Sequence, residues 1–372
     1  MSTTKPVVVY GVSGYTGRLI CEYLRELGVP FVAAGRDGAK VREVVERIPG
    51  IETADYEIVE VENDAAALAE AFDGARVVCN TAGPFIKFGP EVAEACLRIG
   101  AHYMDTTGEQ DWILHSRETW GESFAEQGLL LSPGIAHMYT VSEIAANIAL
   151  EPGGYDTLDI LVLWKGLPTY ASTQTIFTIL KAQWYYLEQN QLIPWDHTSA
   201  YNVSVPGYHE QAIAVPWGGM SHPIWFEHDP RVSSVRAIGG VLNRAVMEGV
   251  GQTVQMFETQ IKPLEPEAQE KALADIASSL QADMPPRENP RLNRSVDSVH
   301  ASGPLGRSHV VIHGNSNYKQ TGLLQAFAAF SLLQEPPRRA GFASACQAFG
   351  YRELLGQLRA FGLVSEPVIE RH

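Results

Sequence analysis

Through the first third of the chain, short apolar runs rich in β-branched residues alternate with stretches of helical periodicity. PVVVYG (6–11), FVAAGR (31–36), YEIVEV (56–61), RVVCNTA (76–82), HYMDTT (102–107) and GLLLSPG (128–134) predict six strands. GRLICEYLREL, AKVREVVERI, NDAAALAEAF and GPEVAEACLRIG lie between them. In the last of these, Val92, Ala93, Cys96 and Leu97 repeat at helical spacing and give one apolar face. Strands that alternate with helices of about ten residues build βαβ units around a parallel sheet. Such strands are buried on both faces, which explains runs that are apolar throughout.

After about residue 135 the rhythm changes. TVSEIAANIAL (140–150) predicts a helix, TLDILVLWKG (157–166) a strand, and TQTIFTILKAQWYYLEQN (173–190) one long helix. Residues 191–232 are rich in Pro, Gly, Trp and His and predict strands and loops. EAQEKALADIASSLQADM (267–284) is an amphipathic helix stopped by Pro285 and Pro286, which open the polar loop PPRENPRLNR (285–294). SHVVIHG (308–314) reads as a strand, and TGLLQAFAAFSLL and FGYRELLGQLRAFGL as helices. The expected class is α/β, a doubly wound parallel sheet in residues 1–135 followed by a mixed α+β domain over 136–335. A helical segment, 336–372, is expected to pack back on the first domain.

The 372 residues are 45% apolar, enough for two cores, and carry a formal net charge of −15. That balance argues against nucleic acid and anionic membranes as partners, because phosphate binding needs clustered Lys and Arg. Cys21, Cys79, Cys96 and Cys346 form no C-x-x-C pair and read as buried reduced thiols. The start MSTTKP shows no charged head followed by an apolar stretch, and no apolar run reaches the length of a bilayer span. A cytoplasmic protein is expected.

The first strand runs into Gly11, Gly14 and Gly17, with a helix predicted from near Thr16. Glycine there lets the chain turn tightly and lets a ligand approach the backbone, while the helix start suits a pyrophosphate. A ligand-free turn would use the same residues. The G-x-x-G-x-x-G spacing is one residue longer at the front than the dinucleotide fingerprint. The second strand ends on Arg36, with Lys40 one helical turn on. Arg can pair with a 2′-phosphate, whereas Asp37 could serve a ribose hydroxyl. The cofactor expected is NADP(H), with NAD(H) as the alternative. NTAGPF (80–85) puts small residues at the end of the fourth strand, where a cofactor crosses such a sheet. Asp105 and Glu109 in DTTGEQDW would face the same edge, or Glu109 and Asp111 would open the next helix.

GVSGYTGRLICEYL, AAGRD, NTAGPFIKFGPEVAEACLRIGAHYMDTTGE and GNSNYKQTGLLQAFAAFSLL together resemble the saccharopine dehydrogenase-like reductases, a group that includes trans-acting enoyl reductases. The resemblance is strong over 6–110, patchy over 308–362 and weak between. It implies an N-terminal Rossmann domain, a second domain that covers the nicotinamide, and hydride transfer from NAD(P)H. It also implies cofactor contacts at Gly11, Ser13, Gly14, Tyr15, Thr16, Gly17, Arg36, Ala82, Gly83, Pro84 and Phe85. Many relatives follow the sixth strand with a GFDS-P-D type segment, where this chain has PGIAHMYTVSE (133–143). Saccharopine itself is therefore not the expected substrate, and no basic cluster is visible for a substrate with several carboxylates.

A nicotinamide reductase needs a proton source or a polariser for its acceptor. His137 (with Tyr139 nearby), Lys165 and Tyr318 (beside Lys319) are the candidates, each with a plain structural alternative. The dense aromatics between Trp184 and Phe226 would line an apolar pocket, form a core, or form a subunit interface. His222 and His228 match no usual ligand spacing, so no metal is expected. The expected function is an NADPH-dependent reductase acting on a C=N or C=C bond of a small, rather apolar metabolite, with a homodimer as one possible assembly. The alternatives are a dinucleotide-binding sensor or scaffold without turnover, and a structural dimer.

Overall fold

In the computed structural model, which describes residues 4–280 and 284–372, all six expected strands of the first region form. They are β1 (Val7–Tyr10), β2 (Phe31–Gly35), β3 (Tyr56–Glu60), β4 (Val77–Asn80), β5 (His102–Asp105) and β6 (Leu130–Ser132). Between them run α1 (Tyr15–Glu26), α2 (Gly38–Val45), α3 (Ala65–Phe72), α4 (Phe85–Ile99) and α5 (Gln110–Glu126). The strands lie parallel in the order 3-2-1-4-5-6, and a late strand, Gly341–Phe342, adds outside β6. This is the Rossmann order, in which the winding reverses between β1 and β4. Val8, Tyr10, Val32, Val78 and Tyr103 project from four strands into one core with Leu68, Phe72 and Trp112. The four cysteines are buried and unbridged, and burial pushes the Cys79 thiol up to about 12.

The chain divides into two compact units. The first comprises 1–107, 112–140 and 318–361, and the second 108–111, 141–317 and 362–372. In the second, a seven-stranded mixed sheet centres on Thr157–Trp164, paired with Ser234–Val241 on one side and Arg294–Gly303 on the other. A two-stranded ribbon, Tyr201–Ser204 with Gln211–Ala214, packs Val205, Ala212 and Ala214 on Leu163, Val296 and Val311 of that sheet.

The long helix expected over 173–190 does not form. The helix Tyr170–Thr178 gives way to a 3-10 turn, and Tyr185–Glu188 then pairs with Gln191–Pro194 as a hairpin. Gln189 and Asn190 take positive φ (49° and 62°), as the tightest hairpin turns require. Packing favours this outcome: Trp184 donates to the Ile179 carbonyl at 2.8 Å and joins Phe177, Trp195 and Phe257 in a core. The helix expected over 267–284 is seen as Pro266–Leu280, and 281–283 lie outside the described residues. Among the described residues, no helix is long and apolar enough to cross a membrane.

Candidate functional site: the nucleotide edge of the first sheet

The carboxyl ends of β1 and β4 meet where the sheet reverses, and the glycine turn sits there. Gly11 has φ 89°, and a Cβ on it would lie 2.8 Å from Thr81 Oγ1 and 2.9 Å from the Ala82 nitrogen. The Thr81 hydroxyl donates to the Tyr10 carbonyl at 2.8 Å and approaches the Gly11 carbonyl at 3.1 Å, fastening the two strand ends. A Cβ on Gly17 would lie 2.7 Å from Val12 Cα, so this glycine sets how closely α1 meets the sheet. Gly14 differs. Its φ of −79° suits any residue, and an added Cβ would meet only the Gly11 carbonyl, at 3.2 Å. Internal packing explains Gly11 and Gly17 but not Gly14, whose bare Cα leaves room for a group from outside. Gly14 caps α1 with no side-chain hydrogen bond, and no acid occupies the first turn. The positive end of the helix is a place that suits a phosphate.

Arg36 is exposed, with its guanidinium 5.6 Å from the centre of the Phe88 ring. Asp37 accepts from the Lys40 N–H at 2.9 Å as the cap of α2, and Glu60 accepts from the Gly38 N–H at 2.8 Å. The carboxylate that could have served a ribose hydroxyl is committed to a helix end, while the adjacent cation is not. Ala82, Gly83 and Pro84 form the turn after β4, Asn80 Oδ1 accepts from the Ala82 N–H at 3.0 Å, and buried Phe85 opens α4. Ser13, Tyr15 and Thr16 complete the turn and the first residues of α1.

The segment 318–361 supplies a further wall that the β-α rhythm did not announce. The ring of Tyr318 meets that of Tyr15 edge-on at 5.2 Å, and the Arg18 guanidinium covers the Tyr15 ring at 4.4 Å. The helix Asn317–Gln334 approaches α1 so closely that a Cβ on Gly322 would lie 2.9 Å from Leu19 Cβ. His137 is buried and its N–H donates to Thr321 Oγ1 at 3.0 Å, one helical turn beyond Tyr318. Two of the three residues expected to be catalytic therefore attach to one turn of one helix in the first unit. Lys165 belongs to the second unit, at the end of Thr157–Trp164.

Asp105 does not reach a cleft as a free acid. It is fully buried and accepts from Tyr103 Oη and Trp112 Nε1 at 2.7 Å, and from the N–H groups of Thr107 and Gly134 at 2.9 Å. Burial pushes its carboxyl up to about 6, against the pull of those four bonds. Glu109 is also buried and accepts from Thr175 Oγ1 at 3.4 Å in the second unit. His222 is buried too, with Ser142 Oγ 2.9 Å from its Nε2.

Residues 7–124 match the saccharopine dehydrogenase NADP binding domain, and residues 140–372 match a family of unknown function, DUF5938. The chain belongs to DUF5938, and its first third matches a saccharopine dehydrogenase NADP binding domain. The matched domain is an NADP binding domain, which supports NADP(H) as the cofactor and is in keeping with an Arg36 left available by its neighbour. A lipid droplet localized protein of Caenorhabditis elegans is 34% identical over 131 residues, 33% of this chain and 31% of the relative. A trans-acting enoyl reductase of Mycobacterium ulcerans is 29% identical over 125 residues, 33% of this chain and 30% of the relative. The chain thus spans about a third of the length of the curated relatives it matches. Apo saccharopine dehydrogenase (L-Glu forming) from Saccharomyces cerevisiae shares the fold, with a TM-score of 0.63 at 13% identity over 98% of this chain and 100% of that one.

Proposed function

We propose that the protein is an NADPH-dependent reductase that acts on a C=N or C=C bond of a small, rather apolar metabolite. The observation that carries the reading is the pairing of a glycine turn open at Gly14 with an Arg36 whose acidic neighbour is engaged as a helix cap. Gly11, Ser13, Gly14, Tyr15, Thr16 and Gly17 would hold the pyrophosphate, Arg36 the 2′-phosphate, and Ala82 to Phe85 the crossing at the switch point. The bound cofactor supplies a hydride from its nicotinamide. Tyr318, packed on Tyr15, is the proton source in this reading, and His137, tied to the same helix through Thr321, orients that helix. Similarity to a trans-acting enoyl reductase favours C=C, and similarity to a lipid droplet localized protein favours an apolar acceptor.

The test is consumption of NADPH by the purified chain against a panel of enoyl thioesters, enones and cyclic imines. Turnover with one class, reduced at least about tenfold in Tyr318→Phe at unchanged NADPH affinity, supports the reading. Tight NADPH binding with no turnover across the panel would replace it with a sensor.

A further inference from the structure

Among the described residues, one pair of strands in the second sheet runs parallel, Thr157–Trp164 beside Ser234–Val241, with Trp164 opposite Val241. Parallel neighbours end at the same edge and their chains then part, which leaves a crevice of the kind where open sheets take ligands. Lys165 to Leu167 leave on one side, and Asn243 opens the helix Arg244–Met256 on the other. The crevice between them holds about 750 Å³. Sites for small ligands run from about 300 to 1,000 Å³.

The crevice has two characters. Val205, Ala212, Val241 and Leu242 make an apolar wall, and Leu167 and Leu292 stand at its rim, 59% and 61% exposed. Large aliphatic side chains so exposed beside a cavity mark a surface that gains by being covered. Two cations, Lys165 and Arg244, share the lining with a single acid, Glu210. With Glu248 bonded to Arg244, the cations and acids around the crevice number two each among the described residues, and Lys165 is the cation left over for a ligand. Glu248 and Asn202 fix the Arg244 side chain, at 3.1 and 3.2 Å. No carboxylate among the described residues pairs with the Lys165 ammonium. The helix start adds no site of its own, because Asn243 already accepts from the N–H groups of Ala245 and Val246.

We propose that this crevice binds a single-chain amphipathic anion, with its carboxylate or phosphate on Lys165 beside Arg244. Its hydrocarbon chain lies along Leu167, Val205, Leu242 and Leu292. Lys165 is then a ligand-binding residue and not a proton donor. The site lies wholly within the second unit and does not depend on which bond is reduced.

The full chain is titrated calorimetrically with dodecyl phosphate, dodecanoate and dodecyltrimethylammonium, each kept below its micelle concentration. At least one anion should bind at least about tenfold more tightly than the cation, as one charge-assisted hydrogen bond provides. The stronger of the two anions separates a phosphate head from a carboxylate. The double variant Lys165→Ala with Arg244→Ala should remove the preference, and Leu292→Asp should weaken both anions, with NADPH affinity intact as the control for folding. Equal binding of anion and cation, no saturable anion binding, or an undiminished preference in a double variant that still binds NADPH overturns the proposal. The head-group series on the unmodified chain decides the matter even where a variant fails to fold.

Discussion

Gly14 and Gly17 lie three residues apart in one turn, yet the structure assigns them opposite sensitivities to the same methyl group. In Gly17→Ala the new Cβ would sit 2.7 Å from Val12 Cα, 2.8 Å from the Gly11 carbonyl and 3.0 Å from Thr81 Oγ1. The two nearest atoms are backbone, held in the turn that β1 feeds, so relief requires α1 to move off the sheet. Overpacking of this sort costs about 1–3 kcal/mol. At about 2–4 °C per kcal/mol for a unit of this size, Tm should fall by roughly 2–12 °C. In Gly14→Ala the backbone angles already suit alanine and the single close atom is 3.2 Å away. Loss of the glycine cap costs no more than about 1 kcal/mol. The methyl does occupy the space proposed for the pyrophosphate, so NADPH affinity should fall at least about tenfold. Thermal unfolding without ligand and NADPH titration by tryptophan fluorescence separate the two effects. A Gly14→Ala chain that binds NADPH normally would refute the assignment of the site. A Gly17→Ala chain with unchanged Tm would refute the packing argument.

The cofactor choice is open to a paired test: Arg36→Ala should weaken NADPH by about 10- to 150-fold, as for a charge-assisted bond of about 1.5–3 kcal/mol, and leave NADH within about twofold. Asp37→Ala should instead cost about 1 kcal/mol of stability and leave the NADPH-to-NADH ratio of affinities unchanged. His102 accepts from the Leu130 N–H at 2.8 Å, and burial, with help from Arg76, lowers its pKa to about 4. The unfolded chain takes up that proton below about pH 6.5 and the folded chain resists it, so stability is lost as pH falls from there towards 4. His102→Gln should flatten this part of a Tm-against-pH series, and an unchanged slope would count against the assignment. Gln110 donates to the carbonyls of Tyr185, Gly219 and Met220 and accepts from the Tyr185 N–H at 2.7 Å. Its replacement by Ala should cost about 1–3 kcal/mol by urea titration, from backbone groups left buried without partners.

The first sheet was legible because its strands are short, apolar and two-sided, and β1 is buried at all four positions. The hairpin at Gln189–Asn190 was not legible, since no glycine marks it and Tyr185 and Tyr186 continue a plausible helical face. Arg294–Gly303 escaped notice because Ser295, Asp297, Ser298, His300 and Ser302 interrupt both an apolar run and a clean alternation, and its ladder to Gly306–Asn315 makes it a strand. At the site, the glycines and Arg36 are local signals and could be read directly. The role of Asp37 depends on where α2 begins, and that of Asp105 on donors as distant as Gly134. The Tyr15–Tyr318 contact joins residues far apart in sequence, and only the family-like NYKQTG segment hinted at it.

The order of synthesis and the order of assembly do not coincide in the first unit. Gly341 and Phe342 pair with β6, Arg76 donates to the carbonyls of Leu332 and Leu333, and Gly322 fits against Leu19. On a ribosome, β6 therefore waits with an open edge while some two hundred further residues emerge. An unpaired edge strand is a template for aggregation. A gene cut at the end of the NADP-binding match, residue 124, would omit β6 itself and leave β5 permanently as the open edge. Expression boundaries for this fold are better drawn by what closes the sheet than by what resembles a cofactor domain.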